Sequence, residues 1–155
     1  MARKKKAVKK AVRKAAGRKA RPKRAQPEAL RLRRAQAGFT VDDLERSLAF
    51  YRDVLGFTVG ELWKHDGKVM GAEIKAGTVT LWLGQDDWQK GRDRKKGEGF
   101  RMYFDTAQKV DDIAARIKAR GGQLTHEPQT QSWGTRDFGI VDPDGFKLTF
   151  QNVRT

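Results

Sequence analysis

Val41-Asp42-Asp43-Leu44-Glu45-Arg46-Ser47-Leu48-Ala49-Phe50-Tyr51-Arg52-Asp53-Val54-Leu55-Gly56-Phe57 and Trp133-Gly134-Thr135-Arg136-Asp137-Phe138-Gly139-Ile140-Val141-Asp142-Pro143-Asp144-Gly145-Phe146-Lys147-Leu148-Thr149-Phe150 decide the fold of this chain. In the first stretch Leu44, Leu48, Tyr51 and Leu55 recur at helical spacing. Asp42 and Glu45 form a capping box before that apolar stripe. Gly56 ends the helix and turns the chain into a new strand. The second stretch reads as two short strands joined by a Pro-Asp-Gly turn.

Working outward, the same plan occurs twice. Gln36–Val41 reads as a strand before the first helix, and strands follow near 57–64, 68–75 and 78–84. The first two of these are joined by the His65-Asp66-Gly67 turn. Phe100–Asp105 then reads as a strand and 108–120 as a helix with Val110, Ile113, Ala114 and Ile117 facing inward. Gly121-Gly122 stops it, and strands follow near 123–127, 135–141 and 146–152. The predicted fold is α+β: two βαβββ modules, 35–84 and 100–152, forming a cup-shaped mixed sheet with helices outside. A ferredoxin-like domain would not repeat three strands after each helix. The polar segment 85–99 is the expected linker.

Strands alternate faces with a period of two, so parity sorts the side chains. Phe39 and Val41, Val79, Leu81 and Leu83, Phe100, Met102 and Phe104, and Phe146, Leu148 and Phe150 are the helix-facing sets. Opposite them stand Gln36, Gly38 and Thr40; Thr80 and Trp82; Arg101 and Tyr103; and Lys147, Thr149 and Gln151. A mostly polar set aimed at one cavity predicts a ligand pocket.

The two quoted stretches resemble the vicinal oxygen chelate superfamily, which includes glyoxalase I, ring-cleaving dioxygenases and bleomycin-resistance proteins. The resemblance covers roughly residues 35–152 and implies the cup of paired modules. It also implies where a metal would sit: a His or Gln on the first strand, a His on the strand opening module two, and a Glu in each closing strand. Here those positions fall on Gln36, Arg101, Thr149, and either Leu81 or Trp82. An amide, a guanidinium and a hydroxyl do not make a site for a divalent cation, which needs imidazole or carboxylate ligands. No metal and no cofactor are therefore expected.

The ligand-binding candidates are Gln36, Trp82, Arg101, Tyr103, Trp133 and Thr149. Arg101 offers a fork for a carboxylate or phosphate, or forms a pair with Glu73 or Asp105. Trp82 and Tyr103 offer flat apolar contact with a polar edge, or Trp82 fills the core. Trp133-Gly134-Thr135-Arg136 resembles a segment lining the pocket or dimer contact of bleomycin-resistance-like members, or anchors a loop. Trp88, Arg92 and Arg94 form a flap over the cup or a solvated linker. His65 falls in a turn and His126 just before Glu127-Pro128, neither at ligand spacing. Glu73 has no identifiable acid–base partner. No nucleophile elbow, phosphate-cradling glycine loop or Ser-His-acid set is present.

Charge divides the chain. Residues 1–34 hold 16 of the 34 Lys and Arg and one of the 19 acids, leaving 18 of each sign in 35–155. The tail has no aromatic residue and too little apolar surface to offset the entropy of ordering, so disorder is expected when it is free. Lys4, Lys5, Lys6, Lys9, Lys10, Arg13, Lys14, Arg18 and Lys19 are its candidate nucleic-acid contacts, acting on phosphates without reading bases. Its Lys-Ala composition is similar to linker-histone tails; a solvated tail and a mitochondrial-type presequence are the alternatives. With no Cys there is no thiolate nucleophile or Cys-zinc site. No apolar run approaches the roughly 18 residues of a membrane span, so no membrane partner is expected.

The function expected is non-catalytic binding of a small, polar or anionic organic ligand by a cytoplasmic homodimer, with nucleoid association if the tail binds DNA. The alternatives are a glyoxalase-like metal-dependent lyase or isomerase, and a nucleoid-associated adaptor.

Overall fold

The computed structural model describes residues 34–152. Lys4, Lys5, Lys6, Lys9, Lys10, Arg13, Lys14, Arg18 and Lys19 lie outside the described residues. Each predicted module forms its own mixed sheet. The first contains β1 (Ala37–Val41), β2 (Thr58–His65), β3 (Lys68–Ala76) and β4 (Val79–Gln85), in the order β1-β4-β3-β2. The second contains β5 (Arg101–Thr106), β6 (Leu124–Thr130), β7 (Arg136–Val141) and β8 (Lys147–Asn152), in the order β5-β8-β7-β6. In each, the first strand lies parallel to the last, because a helix crosses over between them, and the hairpin neighbours are antiparallel. Strand pairing therefore gives two four-stranded sheets.

The helices are α1 (Leu44–Ala49) and α2 (Val110–Ala119). From Phe50 the first helix widens to π-type spacing through Leu55 and ends at Gly56, φ 86°. The capping residue is Asp43, not the expected Asp42–Glu45 box: Asp43 is extended and accepts from the Arg46 N–H at 3.0 Å. Asp42 is engaged elsewhere. Its N–H donates to Asp144 Oδ1 at 2.7 Å and its carboxylate pairs with Lys96.

Most of the parity sets from the sequence join the core, but Phe100, expected there, is 38% exposed. Val41, Ile74, Leu83, Phe138, Ile140 and Leu148 are essentially inaccessible, as are Val110 and Ile117 of α2. Each such side chain contributes about 1.5–3 kcal/mol of apolar burial. Aromatic contacts join the modules: Phe39 stacks on Phe146 at 4.4 Å, and Phe57 meets the edge of Phe104 at 5.9 Å.

The two sequence stretches that decide the fold also touch. Tyr51, fully buried on the first helix, donates to Asp142 Oδ2 at 2.9 Å. Ser47 donates to Asp144 Oδ2 at 3.0 Å, and Arg46 to the Pro143 carbonyl at 2.9 Å. Asp142 Oδ1 in turn accepts from the Asp144 and Phe146 N–H groups. The turn of module two is thus clamped to the helix start of module one. Burial pushes the Asp142 carboxyl above its ordinary range, and pushes the Tyr51 hydroxyl, which also faces that carboxylate, far above its own.

Most of the linker is exposed, as a solvated connection would be, but its two ends are tied down. Asp86 is buried and pairs with Arg94 and with Lys96, whose ammonium lies 2.6 Å away. Lys96 bridges from Asp86 to Asp42 with its own side chain 5% exposed. Arg92 and Lys96 both stand over the Trp88 ring, at 4.4 and 4.7 Å. Gly97 passes so close to the Asp-Pro-Asp-Gly turn that a Cβ there would fall 1.8 Å from the Gly145 carbonyl oxygen. The ionic side chains that look solvated in sequence instead tie a strap across the start of α1.

Candidate functional site

Both sheets turn one face to the core and leave the other open. On the first sheet, Thr40, Gly84, Gly71 and Trp63 lie in one row across four strands, and Gly38, Trp82 and Glu73 in the next same-face row. Leu81 is 2% exposed and Trp82 44%, which places Trp82 on the open face and removes the Leu81 alternative. The Trp82 core-filler reading is likewise removed. Gly71 makes the floor flat: a Cβ there would sit 2.9 Å from the Trp63 ring. Trp63 meets Trp82 edge-to-face at 5.9 Å. The resulting cleft, about 470 Å³, is lined by Trp63, Met70, Trp82 and the glycines beside them, with Thr40, Lys64 and His65 as its polar members.

Gln36 immediately precedes β1 and is half-buried, sharing parity with Gly38 and Thr40. Glu73 is paired with Lys75 at 2.6 Å, and that hydrogen bond holds its carboxyl below the usual range. Its acid–base candidacy loses ground accordingly.

The second sheet's open face is polar. Arg101, Lys147 and Val141 form one row; Tyr103, Thr149, Gly139 and His126 the next; Asp105, Gln151, Asp137 and Gln129 the third. Arg101 is exposed and forms no ion pair among the described residues, correcting the expected alternative of a pair with Glu73 or Asp105. Asp105 accepts from Gln151 Nε2 instead, at 2.7 Å. Tyr103 is 54% exposed, whereas Thr149 is buried in its row. Trp133 is 68% exposed in the β6–β7 connection, and Arg136 anchors that loop by a two-pronged contact to Asp111 of α2. Arg136 thus anchors the loop, and Trp133 stands exposed outside the lining of the aromatic cleft.

The site residues expected to share one cavity divide into two groups. Gln36 and Trp82 belong to the first sheet; Arg101, Tyr103 and Thr149 belong to the second. The lining of the aromatic cleft is drawn from module one alone.

One residue on this surface was missed. His126 Nε2 lies 3.0 Å from Asp137 Oδ1, which also accepts from Gln131 Nε2 at 2.8 Å. Leu124 pairs with Ile140 of the core, so simple alternation puts residue 126 on the helix side. A register shift between Leu124 and His126 brings the histidine opposite Gly139, on the open face. The sequence hints at the irregularity only through Pro128 in the same strand and the glycine opposite. His65 is exposed beside Asp66 at the turn expected for it, on the edge of the aromatic cleft.

A family model described as Glyoxalase/Bleomycin resistance protein/Dioxygenase superfamily matches residues 33–150. The chain belongs to that superfamily. It is 33% identical to lactoylglutathione lyase of Haemophilus influenzae over 127 residues, covering 71% of this chain and 84% of that protein. It is 29% identical to the bleomycin resistance protein of Geobacillus stearothermophilus, covering 71% of this chain and 89% of the relative. A glyoxalase/bleomycin resistance protein/dioxygenase structure from Nocardioides shares the fold, with a TM-score of 0.64, 19% identity, and coverage of 81% and 85%.

Members that use a metal would hold it on these open faces. At the positions implied, this superfamily member carries Gln36, Trp82, Arg101 and Thr149. Indole has no lone pair for a cation, and an exposed guanidinium repels one. Among the described residues no group of three or more His, Asp or Glu side chains could hold a metal ion. The donor set does not fit the group. Nor is any helix among the described residues long and apolar enough to cross a membrane.

Proposed function

We propose that this chain is a metal-free small-molecule-binding member of the superfamily, of bleomycin-resistance type, that holds an organic ligand without transforming it. The observation that carries this reading is the exchange of ligating side chains for Trp82, Arg101 and Thr149 on faces that otherwise keep the superfamily's plan. Trp82, with Trp63 beside it, offers stacking surface. Arg101 and Tyr103 offer charge and a hydroxyl, and Gln36 an amide at the head of β1. A homodimer fits the same faces: Trp82 and Tyr103 are each over 40% exposed there, and a second copy would cover them.

The test is a tryptophan-fluorescence titration of EDTA-treated protein with bleomycin and a library of small organic acids. Saturable quenching that Trp82→Ala and Arg101→Gln weaken supports the reading. Binding that requires added nickel or zinc sinks it. Light scattering reports the dimer.

The 33% identity to lactoylglutathione lyase favours a second reading, a lyase or isomerase. Stoichiometric metal, with hemithioacetal turnover, would establish it. For the tail, 16 cations against one acid support attraction to nucleic acid. Replacing Lys4, Lys5, Lys6, Lys9, Lys10, Arg13, Lys14, Arg18 and Lys19 by Gln should then flatten the salt dependence of DNA binding; unchanged binding ends that idea.

A further inference from the structure

We propose that His126, positioned by Asp137, is the proton acceptor of the second sheet's open face, and that the ligand it takes is a phenol or enol. This deepens the binding reading above and rests on it.

Asp137 is 3% exposed and carries its Oδ1 between two donors, His126 Nε2 and Gln131 Nε2. A carboxylate in that place accepts, so the imidazole proton stays on Nε2. Nδ1 is then the lone-pair nitrogen, and it has no hydrogen-bond partner among the described residues. The ring lies over Gly139. A Cβ there would come within 2.5 Å of Thr125 Oγ1, 2.7 Å of the imidazole Cε1 and 2.9 Å of Nδ1, so glycine makes room for both side chains.

Beyond Gly139 the row runs through Thr149 to Tyr103, about 14 Å away at the usual strand spacing. A single ring covers less than half of that span, so one whose hydroxyl reaches Nδ1 would lie over Gly139 and Thr149, with the exposed Tyr103 ring beyond it. Arg101 and Lys147 make the adjoining row positive. In the step proposed, the ligand O–H bond gives its proton to Nδ1 and the electron pair stays on the ligand oxygen. The product pair is an imidazolium facing Asp137 and a bound phenolate or enolate in a cationic field. No other bond changes, and no co-reactant is needed. This arrangement puts a base in the same row as Thr149, where the resemblance would place a carboxylate.

The chain's two histidines supply their own control. The His126 side chain is 33% exposed and that of His65 80%. With diethylpyrocarbonate, read by peptide mass, His126 should react at least as fast as His65, and Asp137→Asn should slow His126 several-fold while leaving His65 unchanged. Slower His126 that ignores Asp137→Asn overturns the proposal. Nitrogen-15 spectra of the unmodified protein should show the Nε2–H tautomer at His126; the Nδ1–H tautomer overturns it without any variant.

The ligand class is probed with 4-nitrophenol below its own pKa. Full-length protein should produce the phenolate band and His126→Gln should lose it. No band, or one that His126→Gln retains, removes the assignment. If His126→Gln still shows the fluorescence quenching by other ligands, the binding surface stands and only the base is lost. If no ligand quenches at all while the tautomer and the 4-nitrophenol band are as stated, the Trp82 face is what fails.

Discussion

The two sheets share strand order, a parallel first-and-last pair and a buried helix side, yet their open faces differ in chemistry. The first is aromatic over glycine: Trp63 and Trp82 on Gly38, Gly71 and Gly84. The second is polar: Arg101 and Lys147, then Tyr103, Thr149 and His126, then Asp137 and Gln151. Their helix sides are alike, closed by Phe39, Ile74 and Leu83 in one and Phe138, Leu148 and Phe150 in the other. A repeated backbone plan has kept its packing and divided its surface chemistry. Stability should thus reside in what the modules share, and binding in what separates them.

Four outcomes would sharpen or break that division. The largest should come from the shared interior. Phe138→Ala empties a fully buried site stacked on Phe150 and should cost about 3–5 kcal/mol in denaturant unfolding. A loss near that of an exposed residue would mean the sheets do not pack as described. Next comes the clamp between modules. Tyr51→Phe leaves the buried Asp142 carboxyl without its hydroxyl donor and should cost about 1–3 kcal/mol.

The strap gives a pH signature. The Lys96 hydrogen bond, with the Trp88 N–H and Arg94 as further donors, holds the Asp86 carboxyl well below its ordinary 3.8. A carboxyl depressed on folding lends stability above its unfolded pKa, and that stability is lost as pH falls through the folded value. Asp86→Asn should therefore lower the melting temperature at pH 6, and its gap from the parent should close as the pH falls below about 4. A gap that stays constant with pH would remove the ionic account of the strap. The smallest effect on stability should come from the open faces. Trp82→Ala and Arg101→Gln should each stay within about 0.5 kcal/mol of the parent, while ligand quenching falls.

Much of the helix side was legible because alternation and helical spacing are local properties. Phe39 and Val41, Leu81 and Leu83, and Leu148 and Phe150 all occupy the face that parity assigns them. The placement of Trp82 followed once the register was known. His126 did not follow, because the slip in β6 adds a residue that breaks the alternation, and Pro128 marks an irregular strand without fixing where the extra residue falls. Trp63 was missed for a related reason, since β2 carries two such shifts. The strap was not legible because Asp42 fits a capping box and Arg94 a solvated linker until the chain brings them to Asp86 and Lys96. The same limit applies to the pocket: parity identifies a face, but not whether two faces meet in one cavity.

The central claim is that these faces bind without a metal. Inductively coupled plasma mass spectrometry of the purified protein, after incubation with nickel and zinc and removal of the excess, tests it most directly. The account predicts far less than one ion per chain, unchanged by Gln36→Ala. One tightly held ion per chain, lost in that variant, would contradict it.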